Sequence, residues 1–492
     1  IVYSPSREQI DGAFVVGNPF ECRAAILQYL ENPPHTAIIR SYGEVNADDV
    51  KDATSMVQEA LDAYRICANT IDVFGETWIM QGLENLPVIA SNPGIGLLER
   101  SRAFAGLPMV IIASGPSLSK NIEQLRRLKG RALLITFSHS LGALNRAGID
   151  PDLVLALDPE DLRYHFDGYD TTRPEALLLG ATIHPGVLRL PAKRIFTFAA
   201  NSSLDGWIYK SLVDKEMVAT GGSVACSALS LGVIWGCSPL IFVGLDLSYP
   251  DGRVYADGIA DDQARIVQNG DLFYTEGWST KYSEMATVGG ATRTYNERLH
   301  TAKGYYGGTV PTSFSFGMYR RWIESAIKQH RLTVWNCTEG GAYLENAEHI
   351  KLEDAIERLP TCDAGIPARV SRASVEFDKP EAQRRMLCQI REMIRDMRKS
   401  ASLAARCCEL IPDANDGNPD AIDEIKSLSK DLKDGIDKVG FVILANQKNL
   451  WETSEVDGRD EHNKAAVDNW QLVIASAARM IPILERSAQE LE

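Results

Sequence analysis

The sequence predicts an α/β protein. A doubly wound, mainly parallel sheet with helices on both faces is preceded by part of another α/β domain and followed by an all-α helical bundle. Three observations carry this. Between residues 94 and 352, short continuous apolar runs alternate with helical patterns, as expected for parallel strands covered on both faces. One of these runs, MVIIA at 109–113, stops at Ser114-Gly115-Pro116-Ser117 and turns directly into a helical pattern over 118–128. From residue 353 the composition shifts to helix formers with a 3.6-residue apolar period. A chain of 492 residues exceeds one core, and the boundaries read as a partial N-terminal domain at 1–93, a central domain at 94–352 and a helical domain at 353–492.

In chain order, residues 13–16 and 37–40 read as strands, the first closed by Gly17-Asn18-Pro19, and residues 47–86 as mostly helical. Val50, Ala53, Met56, Val57, Ala60, Leu61 and Tyr64 form the apolar stripe of that helical stretch. Two strands are few for a domain, so its earlier strands are expected before Ile1. Residues 87–93 read as a turn-rich connection. The central strands are expected at 110–113, 133–136, 154–157, 176–179, 195–198, 240–243 and 332–335. The uncharged stretch 224–245 contains Gly232, Gly236 and Pro239, and it reads as a helix followed by a core strand rather than a membrane span.

Residues 248–311 break this rhythm, with many Gly, Thr, Tyr and charged residues and little periodicity. A loop of this length at a strand's carboxyl end suggests a mobile lid. In the helical domain, Ile390, Met393, Ile394 and Met397 make one stripe. Ile425, Leu428, Leu432, Ile436 and Val439 make a second, and Val467, Trp470, Ile474, Ala477, Ile481 and Leu484 a third. Turns at Ile411-Pro412 and Asn418-Pro419 are expected to separate the first two helices. These stripes read as bundle core and carry no chemistry.

Apolar content of 45% with 24% charged residues is that of an ordinary soluble protein. The net charge of −15 argues against general nucleic-acid or anionic-membrane binding. Nine cysteines without a C-x-x-C pair indicate neither a disulfide framework nor a zinc site, and they fit a reducing, cytoplasmic compartment.

The chemistry is expected at one sheet edge. Gly115 lets a ligand oxygen approach the backbone, Pro116 suits the first helical position, and Ser117 can cap the helix or donate to an anion. Ser138-His139, Asp158-Pro159 and Gly244-Leu245-Asp246 end other strands at the same edge. Thr220-Gly221-Gly222-Ser223 opens a further helix, either cradling an oxyanion or capping a buried helix. The signatures G-x-x-x-x-G-K-[ST], G-x-G-x-x-G after a strand, G-x-S-x-G and H-E-x-x-H are absent from the sequence, which disfavours the common ATPases, dehydrogenases, serine hydrolases and zinc proteases.

The ordered set ASGPSLSKNIEQL, AGIDPDLVLALDP, TGGSVACSALSLG, LIFVGLDLSY, VPTSFSFGMYRRWIE and NCTEGGAYLE, spanning about 85–352, resembles the motility-accessory-factor (Maf) glycosyltransferases. The GPSL core also resembles the shorter archaeal hydroxymethylpterin pyrophosphokinases, and in turn the Rossmann-like bacterial sialyltransferases. The resemblance implies transfer of a nonulosonic acid, of pseudaminic or legionaminic type, from a CMP-activated donor to Ser or Thr of flagellin, with no tightly bound cofactor.

By similarity to the sialyltransferases, Gly115, Pro116 and Ser117 would hold the nucleotide, with Ser114 replacing the family's asparagine. Ser138, Asp158, Gly221, Gly222 and Ser223 would complete the donor site. Tyr249 and Tyr255, six residues apart, would contact the phosphate. His300 on the lid side would be the base, with Asp246 or His139 as rivals. No metal ligands are assigned in this reading. In the pyrophosphokinase alternative, Asp158 and Asp246 would bind a divalent metal beside ATP. A third possibility is a non-enzymatic flagellin-binding protein on the same scaffold.

Overall fold

The structure is a computed structural model and describes residues 73–492 apart from 201, 213, 271, 278–296 and 441–459. The strands expected at 13–16 and 37–40 and the stripe from Val50 to Tyr64 lie outside the described residues. The chain forms two compact units, Ile1–Gly75 and Glu76–Glu492, and the second holds the sheet and the long helices.

The centre of that unit is an eight-stranded sheet. The first six strands are β1 (Met109–Ile112), β2 (Leu133–Phe137), β3 (Leu153–Ala156), β4 (Ala176–Gly180), β5 (Ile195–Phe198) and β6 (Leu240–Val243). An insertion then carries β7 (Arg265–Asn269), β8 (Leu272–Glu276), β9 (Glu297–Arg298), β10 (His300–Lys303) and β11 (Thr309–Thr312). The chain returns to the sheet with β12 (Val334–Asn336) and β13 (Glu348–His349). The order is β13-β12-β6-β1-β2-β3-β4-β5, and every pairing in the sheet is parallel. All seven expected central strands lie in this sheet. The eighth, β13, is two polar residues long and has no apolar signature.

Successive side chains of a strand alternate between the two faces, and both faces are covered. Met109 and Ile111 share a core with Ala228 and Leu231 of α2 (Val224–Ile234), Ile323 and Ile327 of α3 (Phe314–His330), and Val370 of the later helix Ile366–Val375. Val110 and Ile112 face the other way, against Leu352, Ala355 and Ile356 of α4 (Leu352–Arg358). On that second side, Val154, Leu177 and Leu179 pack against Leu83 and Leu86 of α1 (residues 76–91 in this unit). Helix α1 runs through Pro87, so the expected turn-rich connection at 87–93 is largely helical. Buried Asn85 anchors α1, its Nδ2 donating to the carbonyls of Ala181 and Ile183 at 3.0 and 2.8 Å.

Beyond the sheet lie three long helices: α5 (Lys379–Asn415), α6 (Pro419–Val439) and α7 (Asp460–Leu491). Pro412 lies inside the last turns of α5 and does not end it; the break comes at Asp416-Gly417-Asn418. Its missing N–H and its ring act on the carbonyl one turn back, at Cys408, so one bond near the end of a 37-residue helix is lost and the rest of the ladder is untouched. The near half of the bundle joins the sheet core through Met386, Ile390, Met393, Met480 and Leu484. The far half has its own core of Cys407, Leu410, Ile425, Leu432, Trp470 and Val473.

The insertion after β6 corrects the expectation of an irregular lid. Its described part contains the antiparallel sheet β7-β8-β9 and the hairpin β10-β11. Its first stretch is packed down, with Val254, Ala256, Ile259 and Ala264 buried. These strands are short and mostly polar, so the pattern that marks the central strands is missing from them.

Candidate active site

In an open parallel sheet, ligands bind beyond the carboxyl ends of the strands, where the strand order reverses. Here β1 lies between β2, which leads outward to β5, and β6, which leads outward to β13. The reversal therefore falls between β1 and β6. The turn Ser114-Gly115-Pro116-Ser117 follows β1, and Gly244-Leu245-Asp246 follows β6, at that point.

The two turns are fastened together. The Gly115 N–H donates to the Gly244 carbonyl at 2.8 Å. Asp246 accepts from the Ser117 backbone N–H at 3.1 Å, and the Ser117 hydroxyl donates to its other oxygen. A Cβ on Gly115 would stand 2.2 Å from Asp246 Oδ2, so only glycine allows this approach. Ser117 and Asp246 are 1% and 2% exposed, and burial pushes the Asp246 carboxyl up to about 6. The expected roles change accordingly. Ser117 neither caps the helix Leu118–Asn121 nor offers its hydroxyl outward, and Asp246 is a buried strut rather than a presented base. The Ala342 N–H donates to the Asp246 carbonyl at 2.7 Å, which brings the Glu339-Gly340-Gly341 turn against the same pair.

Next to this strut, Ser114 Oγ lies 2.9 Å from Ser140 Oγ, linking the β1 turn to the 3₁₀ turn Ser138–Ser140 that follows β2. The insertion crosses above them: the Ala256 N–H donates to the Ser114 carbonyl at 3.0 Å, and that of Asp257 to Ser119 Oγ at 2.9 Å. Tyr255 is thereby held at the edge, with its ring 4.3 Å from that of His139 in an edge-on contact. Burial, with the charge of Asp261 adding to it, raises the Tyr255 phenol above its ordinary range. Tyr249 is 7% exposed and belongs to the insertion's own core, its ring 5.3 Å from Phe273 and 5.0 Å from Phe316.

Ser138 Oγ is 3.0 Å from Nδ1 of His165, a residue of the 3₁₀ turn Leu162–Phe166 after β3. His139 Nε2 is 3.2 Å from Oδ2 of Asp261, which lies in the packed part of the insertion and is 1% exposed. The rings of His139 and His165 are 4.8 Å apart. The sequence does not single out His165 and Asp261, because no spacing joins them to His139; the His139–Asp261 pair spans 122 positions.

The other expected residues are placed differently. Asp158 is exposed after β3 and accepts from the Glu160 N–H at 2.9 Å, closing a local turn. Gly221 and Gly222 take positive φ of 50° and 85°, and a Cβ on either would meet Trp322 or Tyr319 of α3 within 3 Å. Ser223 caps α2, accepting from the Ala225 N–H at 3.3 Å. This glycine turn is therefore roofed by aromatic rings, and the capping arrangement is the one present. His300 lies on β10 opposite Thr312, whose hydroxyl donates to the Leu247 carbonyl at 2.8 Å. Its described ring neighbour is Phe314, at 6.2 Å.

Residues 81–252 match the family model described as 6-hydroxymethylpterin diphosphokinase MptE-like. That segment contains β1 to β6 and both fastened turns. An uncharacterized protein of Treponema pallidum (strain Nichols) is 30% identical over 138 residues, 25% of this chain and 35% of that protein. The match thus spans about a third of the relative's length. Across the whole chain, the structure of a Maf glycosyltransferase from Magnetospirillum magneticum AMB-1 superposes with a TM-score of 0.54 at 14% identity, covering 97% of this chain and 72% of that one. The chain has a Maf-type fold. In this Maf-type frame the MptE-like segment supplies six of the eight strands of the sheet and its reversal point, and β12, β13 and the helices beyond residue 352 complete the fold. Among the described residues, no helix is long and apolar enough to cross a membrane.

Proposed function

We propose that the protein is a glycosyltransferase that moves a nonulosonic acid, of pseudaminic or legionaminic type, from a CMP-activated donor to Ser or Thr hydroxyls of flagellin in the cytoplasm. The observation that supports this most is the whole-chain Maf-type fold, with a rigid pair of turns at the reversal point of its sheet. The ordered motif resemblance across residues 85–352 supplies the donor and acceptor classes.

The Ser117–Asp246 strut serves this reading by holding the backbone of Ser114, Gly115 and Pro116 in a fixed curve against which a nucleotide can lie. Departure of the nucleotide phosphate leaves oxocarbenium character on the sugar and charge on the leaving group, so phosphate-directed donors lower the barrier. Tyr255, with a phenol kept protonated by burial, is assigned that donation. Tyr249, Ser138 and the helix behind Gly221, Gly222 and Ser223 are assigned to shaping the site around the donor. His300, opposite the Thr312 that is tied to Leu247, is assigned to take the acceptor proton.

The MptE-like match favours a second reading, a pyrophosphokinase acting on a hydroxymethylpterin with ATP. One experiment separates the two. The purified chain is titrated calorimetrically with CMP and with ATP plus magnesium, then incubated with CMP-activated nonulosonic acid and flagellin, whose mass is recorded. Binding of CMP and a mass increase of one or more nonulosonic acids are expected. Binding of ATP alone, with unmodified flagellin, would overturn the transferase reading.

A further inference from the structure

We propose that His139, His165 and Asp261 form a binding site for one divalent first-row transition cation at the carboxyl edge of the sheet. The three side chains arrive on three separate elements: the turn after β2, the turn after β3, and the packed stretch of the insertion after β6. One donor atom from each lies within 4.8 Å of the other two. His139 Nε2 and Asp261 Oδ2, at 3.2 Å, already have the separation of two adjacent ligands about 2.1 Å from a shared ion.

The surroundings also fit an ion. Ser138 engages Nδ1 of His165 at 3.0 Å, which orients the ring and leaves Nε2 as its ligand nitrogen, the outer-shell arrangement that metal-bound imidazoles use. A carboxylate at 1% exposure beside two imidazoles is a costly group to bury, and a bound dication would offset that cost. Two imidazoles with one carboxylate suit the borderline cations such as zinc, cobalt or iron(II) better than magnesium or calcium, which prefer all-oxygen shells. Three protein ligands leave coordination positions open.

The cluster lies beside the donor edge. Ser140, next to His139, is bonded to Ser114 of the β1 turn, and the Tyr255 ring packs on the His139 ring. Arg253, the cation closest to Tyr255 in the chain, is committed to Asp257 and the Tyr255 carbonyl. An ion held by the cluster would supply positive charge to an anionic phosphate at this edge. That second role rests on the transferase reading, whereas binding of the ion does not.

The test uses the full chain, dialysed against chelator and titrated with zinc by calorimetry and with cobalt by visible absorption. One equivalent is expected, with micromolar or tighter affinity and cobalt d–d bands of a nitrogen and oxygen shell. His165→Gln and Asp261→Asn should each weaken binding about tenfold or more. Circular dichroism checks that both variants are folded. Should either be unfolded, Ser138→Ala, which removes only the orienting hydroxyl, should still weaken cobalt binding and alter its bands. Absence of binding to the wild-type chain overturns the proposal, as does equal binding by wild-type and folded variant chains. CMP binding without metal binding would leave the transferase reading standing and remove the ion. Metal binding without CMP binding would do the reverse.

Discussion

A carboxyl enclosed with a hydroxyl and a backbone N–H has a defined preference for its proton, and at Asp246 this preference makes stability depend on pH. Its ionisation in the folded chain lies at about 6, above the ordinary 3.8. Between these values the native state holds a proton that the unfolded chain has released, so this group's contribution to stability falls as pH rises from about 4 to 6 and stays lower above that. The shift corresponds to about 3 kcal/mol. Asp246→Asn keeps an acceptor for the Ser117 N–H without the charge. Urea denaturation at pH 4 and pH 7 should show the variant gaining on the wild type at the higher pH by up to that amount. Reading the difference matters, because burial also raises Asp152 and Asp205. An unchanged difference between the two pH values would mean that Asp246 ionises normally. Gly115, Ser117 and Asp246 stand out in the sequence as turn residues, but their mutual engagement does not. A hydrogen bond across 129 positions leaves no trace in local pattern.

At the scale of elements, legibility followed the number of covered faces. β1 to β6 are buried throughout apart from the first residue of β5, and continuous apolar runs announce them. The strands of the insertion alternate weakly or not at all, so the stretch reads as loop although its first part is as tightly held as the core. Ile259 illustrates the difference: it is 2% exposed and packs with Leu144 and Val243, yet it stands between Gly258 and Ala260 with Asp257, Asp261 and Asp262 close by, so no apolar run marks it. Ile259→Ala should cost about 2 kcal/mol or more by leaving a cavity beneath the segment that carries Tyr255 and Asp261. Faster amide exchange at Ala256 and weaker CMP binding should accompany the loss. A variant with lowered melting temperature but unaltered exchange at that amide would show that the segment is held by something else. The three C-terminal stripes are readable because each helix is half exposed, whereas Pro412 misleads because the long helix absorbs the loss of the one hydrogen bond to the Cys408 carbonyl.

The whole unit has a graded construction. The bundle's near half shares a core with β3, β4 and α1, while its far half closes around Trp470. Trp470→Ala should cost about 3 kcal/mol or more, expressed as early loss of helical signal on denaturation. CMP binding should persist in that variant at low denaturant, since the far cluster touches neither fastened turn. Simultaneous loss of both signals would instead mark the bundle and sheet as one cooperative unit.

The strut between Ser117 and Asp246 also has a consequence for the order of assembly. β1 and β2 are separated by a short connection and can pair early, but β6 must travel back past four strands to insert beside β1. Closing so long a loop is entropically costly and slow. Until it closes, the β1 turn has no partner to hold its curve. During synthesis on the ribosome, the fastened pair of turns therefore comes into being only after residue 246 has emerged, and a chain arrested earlier carries the glycine turn without its partner.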